Sequence, residues 1–323
     1  MKKILKFFYK KTIIGKYLIT KLIKLNDFYL FYIKPEKKYL TDKFEDSFGR
    51  KINLENPITL NEKIIWLKLY DRTPLHTTCA DKYAVREYII DKIGEKYLVP
   101  LHFKTDDPKQ IIPENLPDIP FIIKTNHDSG GGIIIHDKYK PEINWKVIRK
   151  GFKKRMKDNY YYNSKEWQYK NIKPCIIVEK LLLNKQGNIP FDYKIHCFNG
   201  KANMIQVDID RNADKHYRNW YNTKWEREPY KWTSIKDEGK TTEPSDTEVD
   251  KPKTLNEMIT LSEKLSQDFC YVRVDWYDLD GKLYFGELTF HHDGGNRPII
   301  PEKYDKILGQ KVILPKKSQA AHN

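Results

Sequence analysis

Cysteine is scarce in this 323-residue chain: Cys79, Cys175, Cys197 and Cys270 are scattered, with no pair at metal-ligand spacing. That pattern excludes a disulfide framework and a Cys-based zinc site, and reads as reduced core cysteines of a cytosolic protein. No run of 18 uncharged apolar residues occurs, so no transmembrane helix is expected. The first apolar stretch is broken by lysines and has no small-residue cleavage site, so no signal peptide is expected either. Internal repeats and low-complexity tracts are missing, as is any convincing Ser-His-Asp or Cys-His constellation for nucleophilic catalysis. Arginine is absent from residues 1–40 and no basic-aromatic interleaving follows, which argues against nucleic acid as a partner.

What is present is apolar enough to fold, with 39% hydrophobic and 13% aromatic residues. The length suits one large or two ordinary domains. Charge is uneven. Residues 1–40 hold eleven lysines against Asp27 and Glu36, nine of the chain's fifteen net positive charges. On a helical wheel Ile4, Leu5, Phe7, Phe8, Leu18, Ile19, Leu22 and Leu25 fall on one side. Lys3, Lys6, Lys10, Lys21 and Lys24 fall on the other, and Lys11 breaks the pattern. Such a leader suits the surface of an anionic inner leaflet. The alternative is a helix that packs on the body and turns its lysines to water.

The remaining pattern mixes helices, hairpins and strands, which indicates an α+β fold rather than regular βαβ alternation. "LENPITLNEKIIWLKLY" (54–70) reads as a turn and a helix capped by Thr59 or Asn61, with Glu62 in its first turn. A second helix is expected from about Asp81 to Ile93, a third over 144–158 and a fourth over 255–269. "FIIKTNHDSGGGIIIHD" (121–137) is strand, glycine loop, strand; "CIIVEKLL" (175–182) is a buried strand; residues 190–211 form a hairpin turning at Asn199–Gly200. A variable polar stretch spans 233–253.

Four places could carry chemistry. Lys124 ends an apolar strand before Ser129-Gly130-Gly131-Gly132, where backbone N–H groups and an ammonium could receive phosphate. The loop is not a Walker motif, and a glycine hairpin with an incidental lysine explains it about as well. Glu179 sits in an otherwise apolar strand and needs a partner, either a cation or a nucleotide's ribose or amino group. "FDYKIH" places Asp192, Lys194 and His196 on one face, which an ordinary solvated strand face also explains.

The fourth place, "YVRVDWYDLDGKLYFGELTFHHDGG" (271–295), is a hydrophobic hairpin with Arg273 and Asp275 on one arm and Glu287 and Thr289 on the other. A two-residue Asp280–Gly281 turn would send Glu287 to the opposite face from Asp275. We therefore expect a three-residue 279–281 loop that pairs Arg273 with Glu287 and brings all four groups together. Two carboxylates and a hydroxyl then suit Mg²⁺, with the arginine serving a phosphoryl or carboxylate oxygen. The alternative is a plain Arg273–Glu287 ion pair with a stray Asp275.

The order of these pieces resembles the ATP-grasp superfamily, and more closely its TupA-like family, named for teichuronopeptide biosynthesis. The resemblance covers about residues 40–314 and rests on "LNEKIIWLKLYDR" (60–72), "DKYAVREYI" (81–89), "IIKTNHDSGGG" (122–132), "EWQYKNIKPCIIVEKLL" (166–182), "DYKIHCFNGK" (192–201) and "VRVDWYDLDGKLYFGELTF" (272–290). It implies two α+β subdomains sandwiching ATP. It divides the chain into a helical leader (1–40), an N-terminal α/β region (41–120), a small lid subdomain (121–182), a large subdomain with the metal site (183–315) and a tail (316–323). It implies that Lys124 contacts ATP beneath a Ser129–Gly132 flap, that Glu179 reads the adenosine and that Lys194 holds phosphate. Lys82, Lys180 and Asp192 join the ATP set, Asp275 and Glu287 bind Mg²⁺, and Arg273 stabilises the transferred charge. Most ATP-grasp ligases have Asn where this chain has Thr289, and "HHDGGN" (291–296) departs from the "YPASG"-like pattern of close relatives. His127, His196, Arg211, His291 and Asp293 are the candidates for the substrate pocket.

Superfamily members join a carboxylate to an amine through an acyl phosphate, which needs positioning and charge neutralisation rather than a protein nucleophile. For this family the implied reaction is amide formation between a hexuronic acid of a bacterial surface polysaccharide, free or lipid-linked, and an amino acid or amine. Two competing expectations are a glycosyltransferase of capsule or lipopolysaccharide assembly and a non-catalytic membrane-surface module. The first lacks a clear Asp-x-Asp motif in a Rossmann-like N-terminal half; "DID" (208–210) lies on a charged hairpin arm.

Overall fold

A computed structural model describes residues 13–209, 217–232 and 242–316. Arg211, the first part of the leader, much of the polar stretch and nearly all of the tail lie outside the described residues. In chain order the helices are α1 (Ile13–Phe28), α2 (Glu36–Phe48), α3 (Leu60–Tyr70), α4 (Pro74–Ala80), α5 (Val85–Ile93), α6 (Trp145–Arg155), α7 (Tyr160–Ser164), α8 (Leu255–Ser266) and α9 (Lys303–Lys311). The strands are β1 (Leu101–Thr105), β2 (Phe121–Thr125), β3 (Ile133–Ile135), β4 (Ile176–Lys180), β5 (Asp192–Phe198), β6 (Lys201–Ile209), β7 (Tyr217–Asn222), β8 (Lys231–Trp232), β9 (Tyr271–Leu279), β10 (Lys282–Thr289) and β11 (Ile299–Ile300).

They form an α+β molecule with two main antiparallel sheets. The smaller has the order β1-β4-β2-β3 and the larger β10-β9-β5-β6-β7. Period-two alternation sorts each sheet. In the small one Phe121, Ile123, Ile176 and Val178 pack with Phe152 of α6, and Lys124 and Glu179 are left for the other face. In the large one Tyr193, Ile195, Cys197, Val272, Val274 and Trp276 pack under Met258, Leu261 and Leu265 of α8. The opposite face carries Phe198 and Tyr271 at one end, sealed by an apolar cluster with Leu60, Ile64 and Leu67 of α3. Further along that same face come His196, Lys194, Asp192, Arg273 and Asp275. The site grows from there.

Local chemistry sets the entry to α3. The Thr59 hydroxyl accepts from the Glu62 N–H at 3.2 Å, and the Glu62 carboxylate accepts from the Thr59 N–H at 3.0 Å. This reciprocal cap stabilises the helix start by about 1 kcal/mol. The helix expected from Asp81 is regular only from Val85, because the Asp81 carboxylate accepts from the Tyr83 N–H at 2.8 Å and holds a turn first. Along the described part of the leader, Leu18, Leu22 and Leu25 are exposed, the last at 65%. The apolar stripe of α1 is not spent on the body.

Candidate functional site

The β9–β10 hairpin turns through two residues, not three. Leu279 pairs with Lys282, and Asp280 (φ +53°) and Gly281 (φ +89°) form the left-handed pair of a tight turn. By that register Glu287 should face away from Asp275. A β-bulge restores it: Phe285 pairs with Trp276 but Leu288 pairs with Val274, so Gly286 and Glu287 both stand against Asp275. Thr289, not Glu287, becomes the partner of Arg273. The expected loop is therefore wrong, but the expected grouping of side chains exists by another device. Gly286 permits it, since a Cβ there would lie 3.1 Å from the Asp275 carbonyl oxygen and 3.3 Å from the Asp275 Cβ. An isolated glycine within a strand was the available signal.

The grouping is a charge network. Arg273 donates from Nε to Asp275 Oδ1 at 2.6 Å and from Nη2 to Asp275 Oδ2 at 2.7 Å and Glu287 Oε1 at 2.9 Å. Its Nη1 meets His292 Nδ1 at 2.9 Å. Lys194, cross-strand from Asp275, donates to Asp275 Oδ2 at 3.0 Å and also to Asp192. The solvated reading of β5 is corrected here, because all seven residues of that strand are buried and Lys194 is only 3% exposed. Burial opposes the charge on Arg273, but Asp275 and Glu287 overcome it and raise the guanidinium above its ordinary range. Burial also resists ionisation of Glu287; Arg273, Lys82, Lys194 and the Thr289 hydroxyl outweigh it and hold the carboxyl down at about 2.

On the small sheet Lys124 meets Glu179 at 2.6 Å, and Arg86 approaches Glu179 at 3.5 Å while donating to Val99 O at 2.9 Å. Glu179 thus has cation partners already. Lys82 links the two sheets: its ammonium donates to Asp128 O and feels both Glu287 and Glu179. Burial lowers its pKa, with the nearby carboxylates opposing. The glycine loop is tied down by a residue the motifs did not single out. Arg155 at the end of α6 donates from Nε to Asp128 at 3.0 Å and from Nη2 to Gly130 O at 2.7 Å. Gly130 (φ +76°) and Gly131 (φ +72°) adopt the left-handed backbone that this path requires. Gly132 leads into β3.

Beside the β9–β10 hairpin lies a cleft of about 440 Å³ whose walls include Ser129 of the glycine loop, Arg273, Glu287, Thr289, His291 and Asp293, while Lys124, Glu179, Lys194 and Asp275 do not line it. Tyr160 also lines it. Two of the proposed pocket residues are elsewhere. His196 is fully buried, with Nδ1 2.9 Å from the Tyr271 hydroxyl and its ring against Trp220 and Trp232. His127 is buried behind the loop, its Nε2 3.2 Å from the Arg155 and Asp158 carbonyls. Both are fixed by packing rather than offered to a ligand. Lys180 is exposed at the end of β4 and lines neither the cleft nor the charge network. Sequence reasoning missed His292, a buried imidazole whose pKa burial drives well below its usual value and which therefore stays neutral against Arg273.

A divalent cation fits this donor set. Among the described residues no three His, Cys, Asp or Glu side chains gather into a metal cage. Mg²⁺ bound with a nucleotide needs only one or two carboxylates, with phosphates and waters supplying the rest. Glu287 uses Oε1 for Arg273 and Thr289, and its side chain keeps 45% exposure, leaving Oε2 for a ligand. Asp275 accepts two bonds from Arg273 and one from Lys194, against roughly four lone-pair positions on a carboxylate.

A glycine loop and lysine at one sheet, two carboxylates and an arginine on the other, and a cleft that Ser129, Arg273 and Glu287 share are the parts of an ATP-grasp type of α+β fold. The chain belongs to the TupA-like ATP-grasp family, whose model matches residues 62–313. No curated protein matches it. Similar solved structures include the D-alanine–D-alanine ligase of Bacillus anthracis, at 16% identity over 66% of this chain and 57% of that chain, with a TM-score of 0.38. The ATP-grasp ligase PsnB complexed with minimal precursor, Mg and ADP aligns at 12% identity over 72% of this chain and 58% of that chain, with a TM-score of 0.36. The chain thus matches less than two thirds of the length of either.

Proposed function

We propose that this chain is an ATP- and Mg²⁺-dependent carboxylate–amine ligase that forms an amide on a hexuronic acid of a bacterial surface glycan. The observation that carries the reading is the bulge-built juxtaposition of Glu287 and Asp275 with Arg273 and Lys194, of which Arg273 and Glu287 line a cleft together with Ser129 of the glycine loop. Family membership supports the ATP half; the substrate half rests on the family's resemblance and on the cations of the cleft. Lys124, Lys82 and the loop N–H groups hold the triphosphate, and Glu179 exchanges its cation partners for the adenosine. Glu287 and Asp275 hold the Mg²⁺, which neutralises phosphate charge when bound. Arg273 orients the substrate carboxylate and stabilises the negative charge of the transferring phosphoryl group as a carboxylate oxygen attacks the γ-phosphorus of ATP and the bond to the ADP oxygen breaks, giving ADP and an acyl phosphate. An amine then attacks the acyl carbon, phosphate leaves with its electron pair, and one proton is lost to water. His292 stays neutral and keeps the guanidinium oriented.

The leader supports a membrane-surface setting. The exposed Leu18, Leu22 and Leu25 share a helix with exposed Lys16, Lys21 and Lys24, a combination that binds anionic bilayers. Among the described residues no helix is long and apolar enough to cross a membrane.

Incubation with Mg²⁺·ATP, oligouronate and a mixture of amino acids tests the reaction directly. ADP release together with a glycan mass increased by one amino acid less water is expected. ADP that appears without any change in glycan mass, across uronates and amines, refutes the ligase assignment.

A further inference from the structure

The same cleft holds three cations for which the phosphoryl chemistry has no use. Lys43 comes from α2, Lys68 from α3 and Arg297 from the segment after β10, and all three line the cavity. Lys68 is buried and spends two of its three donors on Ser164 O at 3.1 Å and Gly294 O at 3.3 Å. The guanidinium of Arg297 and the ammonium of Lys43 make no ion pair or hydrogen bond among the described residues. Lys43 only stands 5.8 Å from the Tyr39 ring centroid. Two carboxylates besides Glu287 also line the cavity, and Glu166 partly offsets the charge of Lys43 and Lys68. Glu166 accepts from Gln168 at 3.1 Å and lies 3.7 Å from His291, and Asp293 is shared between Arg218 at 3.8 Å and His292 at 3.6 Å.

Like charges gathered from three elements repel unless an anion joins them. Burial and the neighbouring Arg297 lower the pKa of Lys43, and burial brings Lys68 down to about 8, with Glu166 opposing in both cases. Tyr160 and Tyr169, with ring centroids 5.0 Å apart, line the same cavity and offer aromatic surface to a sugar ring.

We propose that Lys43, Lys68 and Arg297 form a subsite for a second oxyanion on the acceptor, distinct from the carboxylate that reacts at Arg273. The acceptor class is therefore an acidic glycan bearing at least two anions within one cleft length. The second anion is either the carboxylate of an adjacent uronate or the phosphate of a sugar phosphate. This inference rests on the ligase reading, and the experiment separates the two.

Calorimetric titration of the full chain, loaded with Mg²⁺·ADP, compares galacturonic acid, digalacturonate and galacturonic acid 1-phosphate. At least one of the two probes that carry a second oxyanion binds ten-fold or more tightly than the monoanion, and which one does identifies the source. In Lys43→Met and Arg297→Met that advantage falls to about two-fold. Thermal midpoint and Mg²⁺·ADP affinity report whether each variant is folded, and Lys43→Arg, which keeps the charge, retains the advantage. Equal affinity for all three probes, or an advantage that survives both Met substitutions, overturns the subsite. Failure to bind Mg²⁺·ADP at all instead refutes the ligase reading beneath it.

Discussion

The Gly286 bulge decides whether Glu287 joins Asp275, so a single methyl group there is a sharp perturbation. In Gly286→Ala the new Cβ meets the Asp275 carbonyl oxygen at 3.1 Å, the Asp275 Cβ at 3.3 Å and Tyr277 at 3.3 Å. These contacts are tight enough to require a shift of a few tenths of an ångström. The neighbour is backbone, so the shift falls on Asp275 and on the guanidinium that it holds. Overpacking of this kind costs about 1 kcal/mol for one methyl group, at the low end of the usual range. For a chain of this size that lowers the thermal midpoint by roughly 2–4 °C. The effect on turnover should be larger, because misplacement by about 1 Å at a reacting centre costs roughly 100-fold. A few tenths of an ångström therefore gives a fall in kcat of about three- to ten-fold. Gly281→Ala is the control: its Cβ meets nothing within 4 Å, but its φ of +89° penalises any side chain. It should lose about 1 kcal/mol of stability with unchanged kcat. Differential scanning fluorimetry and an ADP-release assay on both variants measure the pair. If Gly286→Ala keeps wild-type kcat while Gly281→Ala loses it, the bulge is not what assembles the site.

Asp275→Asn leaves Lys194 and Arg273 without their shared carboxylate and should cost about 3 kcal/mol in urea unfolding, whereas Glu287→Gln, at a half-exposed site, should cost under about 1 kcal/mol. Arg155→Ala frees Asp128 and the Gly130 carbonyl; KM for ATP should rise several-fold with kcat and thermal midpoint little changed, as steady-state kinetics will read. The carboxyl of Glu287 is lowered to about 2 in the folded chain, so its contribution to stability is complete above its ordinary value near 4.5 and lost as pH falls through about 2. Lys68 is the opposite case. Its ammonium titrates near 8 when folded and near 10.5 when unfolded, so stability should rise with pH across that window, and Lys68→Met should flatten the rise. Sedimentation with vesicles of anionic lipid should capture the chain, with a loss of ten-fold or more in Leu22→Glu/Leu25→Glu and in high salt.

The parts of this fold that local patterns dictate were legible in the sequence. Asn199–Gly200 makes the two-residue turn that its residue types require, and the Thr59–Glu62 cap starts α3 as its spacing demands. The alternating residues of β9 separate into Val272, Val274 and Trp276 under α8 and Arg273 and Asp275 on the other face. What failed were inferences that depend on contacts distant in sequence. Strict alternation asks for a three-residue turn at 279–281 to keep Glu287 on the right face, but a bulge five residues after Gly281 performs that task. Alternation in β5 looked solvated, because polar residues at every second position give no sign that Arg273 and Asp275 will cover them. His196 carried the right residue type for a ligand site, but Trp220 and Trp232 enclose it. Lys43, Lys68 and Arg297 lie 25 and more residues apart in the chain, and only the packing of α2 and α3 beside the strand end brings them to one cavity.

The central claim is that Glu287 carries the metal of a bound nucleotide. Calorimetric titration of a non-hydrolysable ATP analogue, with and without Mg²⁺, tests it on the wild-type chain and on Glu287→Gln. The account predicts that Mg²⁺ tightens wild-type binding by ten-fold or more and that this metal-dependent gain disappears in the variant, while metal-free binding persists. A Glu287→Gln chain that keeps the full Mg²⁺-dependent gain contradicts it.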